Sequence, residues 1–256
     1  MSESIQPMNP ASVNVARNYF QIGLFAIAMG ALEAIVVVYL RQLYYPVGFD
    51  FPLTLLTPKM VSVEWLREVA TIVMLVTIGM IAGNNSLQRF AWFLYSFAVW
   101  DIFYYIWLKV LLNWPSSLLT WDILFLIPVP WVGPVLAPVI CSLTMILLAG
   151  VILHLQRRDT AFRIRLTEWS LIILGAVVIL ITFMWDYSAL IIRDGLLSRF
   201  WALTEDTVLL SNLLTYIPTN YNWFVFILGE ILVFAALILM YRRTKSDWKL
   251  HLNSSR

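Results

Sequence analysis

One cysteine, two histidines and very little charge are the first constraints this chain sets. Cys141 has no second cysteine to pair with, so no intrachain disulfide forms and cysteine usage says nothing about redox compartment. His154 and His251 are too few for the stacked bis-histidine ligation of a b-type cytochrome, so haem is not expected. Charged residues are 12% of the chain, against about 25% in ordinary soluble domains. The formal net charge of +2 offers nucleic acid no basic surface. Also missing are a phosphate-binding glycine loop, a Ser/His/Asp set, an HExxH helix and an Asp-rich prenyltransferase motif. No paired inverted repeat of the secondary-transporter kind is evident.

What the sequence has instead is apolar length. Hydrophobic residues make up 61% of it, and a spanning helix needs about 20 of them in succession. Six stretches qualify, near 19–43, 65–83, 88–112, 131–155, 168–191 and 222–242. The first follows a polar start with no basic cluster, and its apolar run is too long for a signal peptide, so it reads as an uncleaved span. The expected fold is an all-α integral membrane bundle of six helices. It divides into an N-terminal segment (1–18), a single transmembrane domain (19–242) and a basic tail (243–256).

Lysine and arginine in short loops set orientation. With the N-terminus cytoplasmic, that side carries eleven: Arg17, Arg89, Arg157, Arg158, Arg163, Arg165, Arg242, Arg243, Lys245, Lys249 and Arg256. The other side carries six: Arg41, Lys59, Arg67, Lys109, Arg193 and Arg199. Both termini are therefore expected inside, in the inner (cytoplasmic) membrane. Tryptophans are skewed outward, with Trp65, Trp107, Trp114, Trp121, Trp131, Trp185, Trp201 and Trp223 opposite Trp92, Trp169 and Trp248. An excess on one side points to extra interfacial structure there.

Two outer loops supply candidates. Between Pro115 and Pro128 lies a run too apolar for water and too short to span, so the segment at about 115–130 is expected to be re-entrant or interfacial. Pro134 and Pro138 fall in the opening turns of the fourth span, where proline kinks a helix. This region is either a cavity wall or a tight turn before a bent helix. In the second loop, Leu196, Phe200, Leu203, Leu210, Leu214 and Ile217 approximate one helical face, predicting an amphipathic helix at about 196–217.

The carboxylates are the best functional clue. Glu33, Glu68, Asp101, Asp186 and Glu230 lie within spans, nearly all in the outer half, and Asp122 joins them from the loop. Ionisable residues in a span are costly and usually face the bundle interior. Gly23, Ala26, Gly30 and Glu33 share one face of the first span, with Arg41 two turns on. Asp101, Tyr105 and Lys109, four apart, form a polar stripe beside the aromatic face of Trp100, Tyr104 and Trp107. Gly79 and Gly83 read as a helix-packing pair. The bland reading for each charge is a buried ion pair: Asp186 with Arg193, and Glu64 or Glu68 with Arg67. Glu33, Asp101 and Glu230 are deepest and are the candidate metal ligands.

Oxygen ligands without histidine suit a hard divalent cation or a proton relay. The expected function is therefore an outward-facing acidic and aromatic cavity that binds or relays a cation or proton. The alternatives are an enzyme acting on a lipid or isoprenoid-like substrate, and an accessory subunit of a membrane complex. Expected partners are membrane lipids, a partner subunit or a second copy of the chain.

Overall fold

Among the described residues, six helices are long and apolar enough to cross a bilayer, making this a polytopic membrane protein. The computed structural model describes residues 10–46, 48–49, 51–52, 54, 57–193 and 216–254. The helices are α1 (Pro10–Tyr44), α2 (Pro58–Ala82), α3 (Ser86–Leu112), α4 (Leu136–Arg158), α5 (Leu166–Arg193) and α6 (Trp223–Ser254). Two strands, β1 (Trp121–Phe125) and β2 (Trp131–Pro134), stand between α3 and α4.

Local chemistry fixes several ends. Thr57 caps α2 by accepting the Met60 amide at 3.3 Å, and Pro58 occupies the first turn, where its missing donor costs nothing. This starts α2 seven residues before the expected 65. Asn85 caps α3 by accepting from the amides of Leu87 and Gln88, both at 3.0 Å. Asn113 closes α3 at φ 52°, a left-handed conformation that asparagine tolerates. The last helix runs to Ser254, so most of the tail expected from 243 is helical.

α3 is the hub. It packs against α1, α2 and α4; α4 passes on to α6, and α6 to α5. Small residues permit the closest approaches, as they must where lipid removes any hydrophobic drive between helices. A Cβ at Gly79 would sit 2.8 Å from the Arg89 carbonyl, and one at Gly30 3.0 Å from the Trp100 carbonyl. The seam of α5 and α6 uses Gly175 against Gly229, a pair the spacing analysis did not single out.

Another unforeseen lock lies where α5 starts. Glu168, 2% exposed, accepts Arg243 Nε at 3.0 Å and Nη2 at 3.0 Å. It also takes the Arg165 amide at 2.7 Å. Arg243 further donates to the Arg163 carbonyl at 2.9 Å, tying α6 to the chain entering α5.

The region at about 115–130 is built around an antiparallel β-hairpin. Trp121 pairs with Pro134, Asp122 with Gly133, Ile123 with Val132 and Phe125 with Trp131, with an irregularity between Ile123 and Phe125. Residues 131–134 are therefore strand, and α4 begins five residues later than expected. Pro134 ends β2 and Pro138 sits in the first turn of α4, so neither lies in a helix interior where it would break hydrogen bonds. Gly133 lets β2 lie close on α5: a Cβ there would meet the Phe183 ring at 3.1 Å. Phe125 stacks on Phe97, centroids 6.4 Å apart. Phe97 is about 22 Å from the C-terminal end of α3 at helical rise, so the hairpin reaches deep between the helices.

Candidate functional site: a cavity with one polar end

A cavity of about 830 Å³ is walled by all six helices and the hairpin. Along α3 its wall runs from Phe90 to Tyr105, a rise of about 22 Å. The end near Phe90 is closed by Phe93, Leu94, Leu148, Trp169 and Val233, all apolar or aromatic. The other end, under the hairpin, holds the charges. Among the described residues, α2 packs on α3 and more lightly on α1, while α5 packs on α6 and β2. Trp65 of α2 and Ile173 and Val177 of α5 line the cavity and are themselves exposed.

Arg67 organises the α1–α2 side of the polar end. Its guanidinium pairs with Glu33 and donates through Nε to Glu64 at 2.8 Å. Glu33 also accepts the Thr71 hydroxyl at 3.2 Å. Of the two partners expected for Arg67, Glu64 or Glu68, Glu64 makes the bond; the Glu68 carboxylate receives the Leu126 amide at 2.8 Å and 3.1 Å. The physical reason is the hairpin. Backbone leaving a ladder away from water needs an acceptor, and Glu68 is placed to be one.

Arg41 faces Asp122 at 3.6 Å, and its guanidinium stacks on Phe49 and Trp114 at 4.4 Å and 3.8 Å from their centroids. The Tyr105 phenol lies beside the same carboxylate. Asp122 is 2% exposed. Burial pushes its carboxyl up to about 6, while Arg41 acts in the opposite direction.

Deeper in, hydroxyls on α4 hold two carboxylates. Ser142 donates to Asp101 at 2.8 Å, and Thr144 to Glu230 at 2.7 Å. Cys141 lies beside Glu230. Aromatic rings line the space around them: Phe125 has Trp100 at 6.4 Å and Trp131 at 5.3 Å, centroid to centroid.

Among the described residues, five buried side-chain atoms find no hydrogen-bond partner in the protein: Trp100 Nε1, Asp122 Oδ2, Trp131 Nε1, Tyr187 OH and Glu230 Oε1. All five residues line this one cavity. Buried polar groups are nearly always paired, so this concentration marks the cavity as unlike the rest of the molecule.

Of the residues singled out by sequence, Glu33, Arg41, Glu68, Asp101, Tyr105, Asp122 and Glu230 reach the cavity. Lys109 and Asp186 do not. Lys109 turns back to donate to the carbonyls of Asn113 and Pro115, at 3.3 Å and 3.0 Å. Asp186 sits beside Tyr216, and the Arg193 side chain expected to pair with it lies outside the described residues, as does most of the helix expected at about 196–217. The members of the candidate metal trio have separate partners: Glu33 is held by Arg67, Asp101 by Ser142 and Glu230 by Thr144. Among the described residues no three His, Cys, Asp or Glu groups come within reach of one ion. Sequence reasoning missed Ser142, Thr144 and the wall position of Trp131. Ser142 and Thr144 are uncharged, and only their spacing from the carboxylates in space marks them out.

Comparison with protein-family models, curated proteins and solved structures finds no match to this chain.

Proposed function

We propose that this protein binds an amphiphilic, membrane-soluble molecule in the cavity. Its apolar part lies toward Phe90 and Trp169, and its polar part sits among the carboxylates beneath the hairpin. The observation that carries this reading is the gradient along the cavity: aromatic and aliphatic walls at one end, every wall carboxylate toward the other. A small cation would need no apolar slot of this length. The exposed, apolar side chains that α2 and α5 contribute to the cavity wall support entry from the bilayer rather than from water. Ligand sites of this kind are predominantly apolar, with a few placed polar groups fixing orientation.

Proton transfer is a second use of the same site, favoured by Asp101 and Glu230 each receiving one hydroxyl from α4 and by Cys141 beside Glu230. It is compatible with a bound amphiphile as well as with a relay.

The test is a native mass spectrum of the full chain after exchange from its membrane into a mild detergent. The expected result is an adduct in the mass range of a single lipid or isoprenoid, surviving exchange. A bare chain, or one displaced only by metal ions, overturns the amphiphile reading and leaves proton transfer as the use of the site.

A further inference from the structure

The five unpartnered atoms constrain the polar part of the molecule. Resting on the amphiphile reading above, we infer that this part is a neutral head group carrying several hydroxyls, a polyol or a glycosyl group.

Hydrogen-bond sense comes first. Trp100 Nε1 and Trp131 Nε1 can only donate, Asp122 Oδ2 and Glu230 Oε1 accept when ionised, and Tyr187 OH does either. A hydroxyl is donor and acceptor at once, so a polyol can serve both kinds of orphan. A trimethylammonium group offers neither a donor nor an acceptor. An ionised phosphate accepts only and would leave the two carboxylate oxygens bare. Leaving buried polar atoms unpaired on binding is costly.

Charge, among the described lining residues, excludes an anionic head group. Glu33, Glu64, Glu68, Asp101, Asp122 and Glu230 line the cavity with two arginines, Arg41 and Arg67. Both arginines are engaged: Arg67 with Glu33 and Glu64, Arg41 with Asp122 and between the Phe49 and Trp114 rings. An anionic head group would meet carboxylates without a free cation to receive it. The rings give the third argument. Trp100, Phe125 and Trp131 form one aromatic surface in the cavity wall, and each indole has an apolar face with a donor at its edge. That surface can lie against the carbon skeleton of a sugar or polyol while its N–H edges reach the hydroxyls. The orphaned atoms are covered by their neighbours, so engagement involves a turn about side-chain torsions.

The experiment uses the full chain in phosphatidylcholine nanodiscs and measures equilibrium binding of tritiated dodecyl glucoside, with empty discs correcting for partitioning. Unlabelled dodecyl glucoside, dodecyltrimethylammonium and dodecyl phosphate then compete, so that only the head group differs. The glucoside is expected to compete at least about tenfold better than either, the worth of roughly one hydrogen bond. Trp100→Phe and Trp131→Phe keep a ring and remove the N–H. Each is expected to reduce that preference, and the double variant to erase it, with at most a modest fall in melting temperature from the smaller ring. Equal or better competition by the cationic or phosphate probe on the native chain overturns the head-group inference alone, as does an undiminished preference in both variants. If no probe binds above empty discs, the amphiphile reading fails with it.

Discussion

Asp122 shows how one residue records its surroundings. It comes from a loop, yet is 2% exposed, faces Arg41 at 3.6 Å and has one oxygen without a protein partner. Desolvation outweighs the nearby guanidinium, so the folded carboxyl sits at about 6, above about 3.9 in an unfolded chain. The native state therefore holds this proton more tightly than the unfolded state does. The stabilisation is complete below about pH 4 and is lost as pH rises through about 6. Relative to Asp122→Asn, the native sequence should lose on the order of 3 kcal/mol across that window, measured as the difference between the two unfolding curves in detergent. A flat difference would mean that Arg41 fully offsets burial. At this scale the sequence was legible where a helical period applied: Glu33, Asp101 and Glu230 could be assigned to the bundle interior from apolar context and depth alone. It was illegible where partners are distant in the chain. The bond from Leu126 to Glu68 joins residues 58 apart, and nothing in local spacing announces it.

Elements in this fold are held by glycines as much as by polar bonds. Gly175 and Gly229 meet across α5 and α6, a Cβ on Gly175 falling 2.7 Å from the Gly229 carbonyl. Gly79 is as tight against the α3 backbone, whereas a Cβ at Gly150 meets nothing within 4 Å. Gly175→Ala and Gly79→Ala should each cost about 1–3 kcal/mol through forced separation of helices. Gly150→Ala should be neutral or stabilising by about 0.5–1 kcal/mol, because it removes freedom from the unfolded chain. Thermal unfolding of the three variants checks the contrast; equal effects would show that helix propensity, not contact, decides. Gly79 was readable because its partner Gly83 stands four residues on. The pair Gly175 and Gly229 was not, since a contact between two helices leaves no periodic trace in either. The hairpin was half legible. Its length and prolines marked it as something other than a span, but a short apolar run does not separate strand from helix, and here it took pairing with β2 to decide.

At the scale of the whole molecule, what matters is how the helices wall one cavity. The six spans could be read because a bilayer imposes a length on any apolar helix, and an acidic and aromatic cavity was the expectation from sequence. Its extent was not legible, because pairing between helices is not written in their individual composition. Both α2 and α5 put exposed side chains in the cavity wall, Trp65 on one and Ile173, Ala176 and Val177 on the other. If an amphiphile enters sideways, residues on this face of α5 control its passage. Ala176 lines the cavity and is exposed, while Leu174 is exposed on the same helix without lining it. Ala176→Trp should weaken retention of dodecyl glucoside by about tenfold or more, equivalent to about 1.4 kcal/mol, with the melting temperature little changed. Leu174→Trp should leave binding as it is, since its added ring meets lipid alone. Binding assays in nanodiscs on both variants distinguish a lateral route from one through the hairpin end. If Ala176→Trp binds normally and Leu174→Trp does too, the molecule enters beneath the hairpin, past Arg41 and Tyr45.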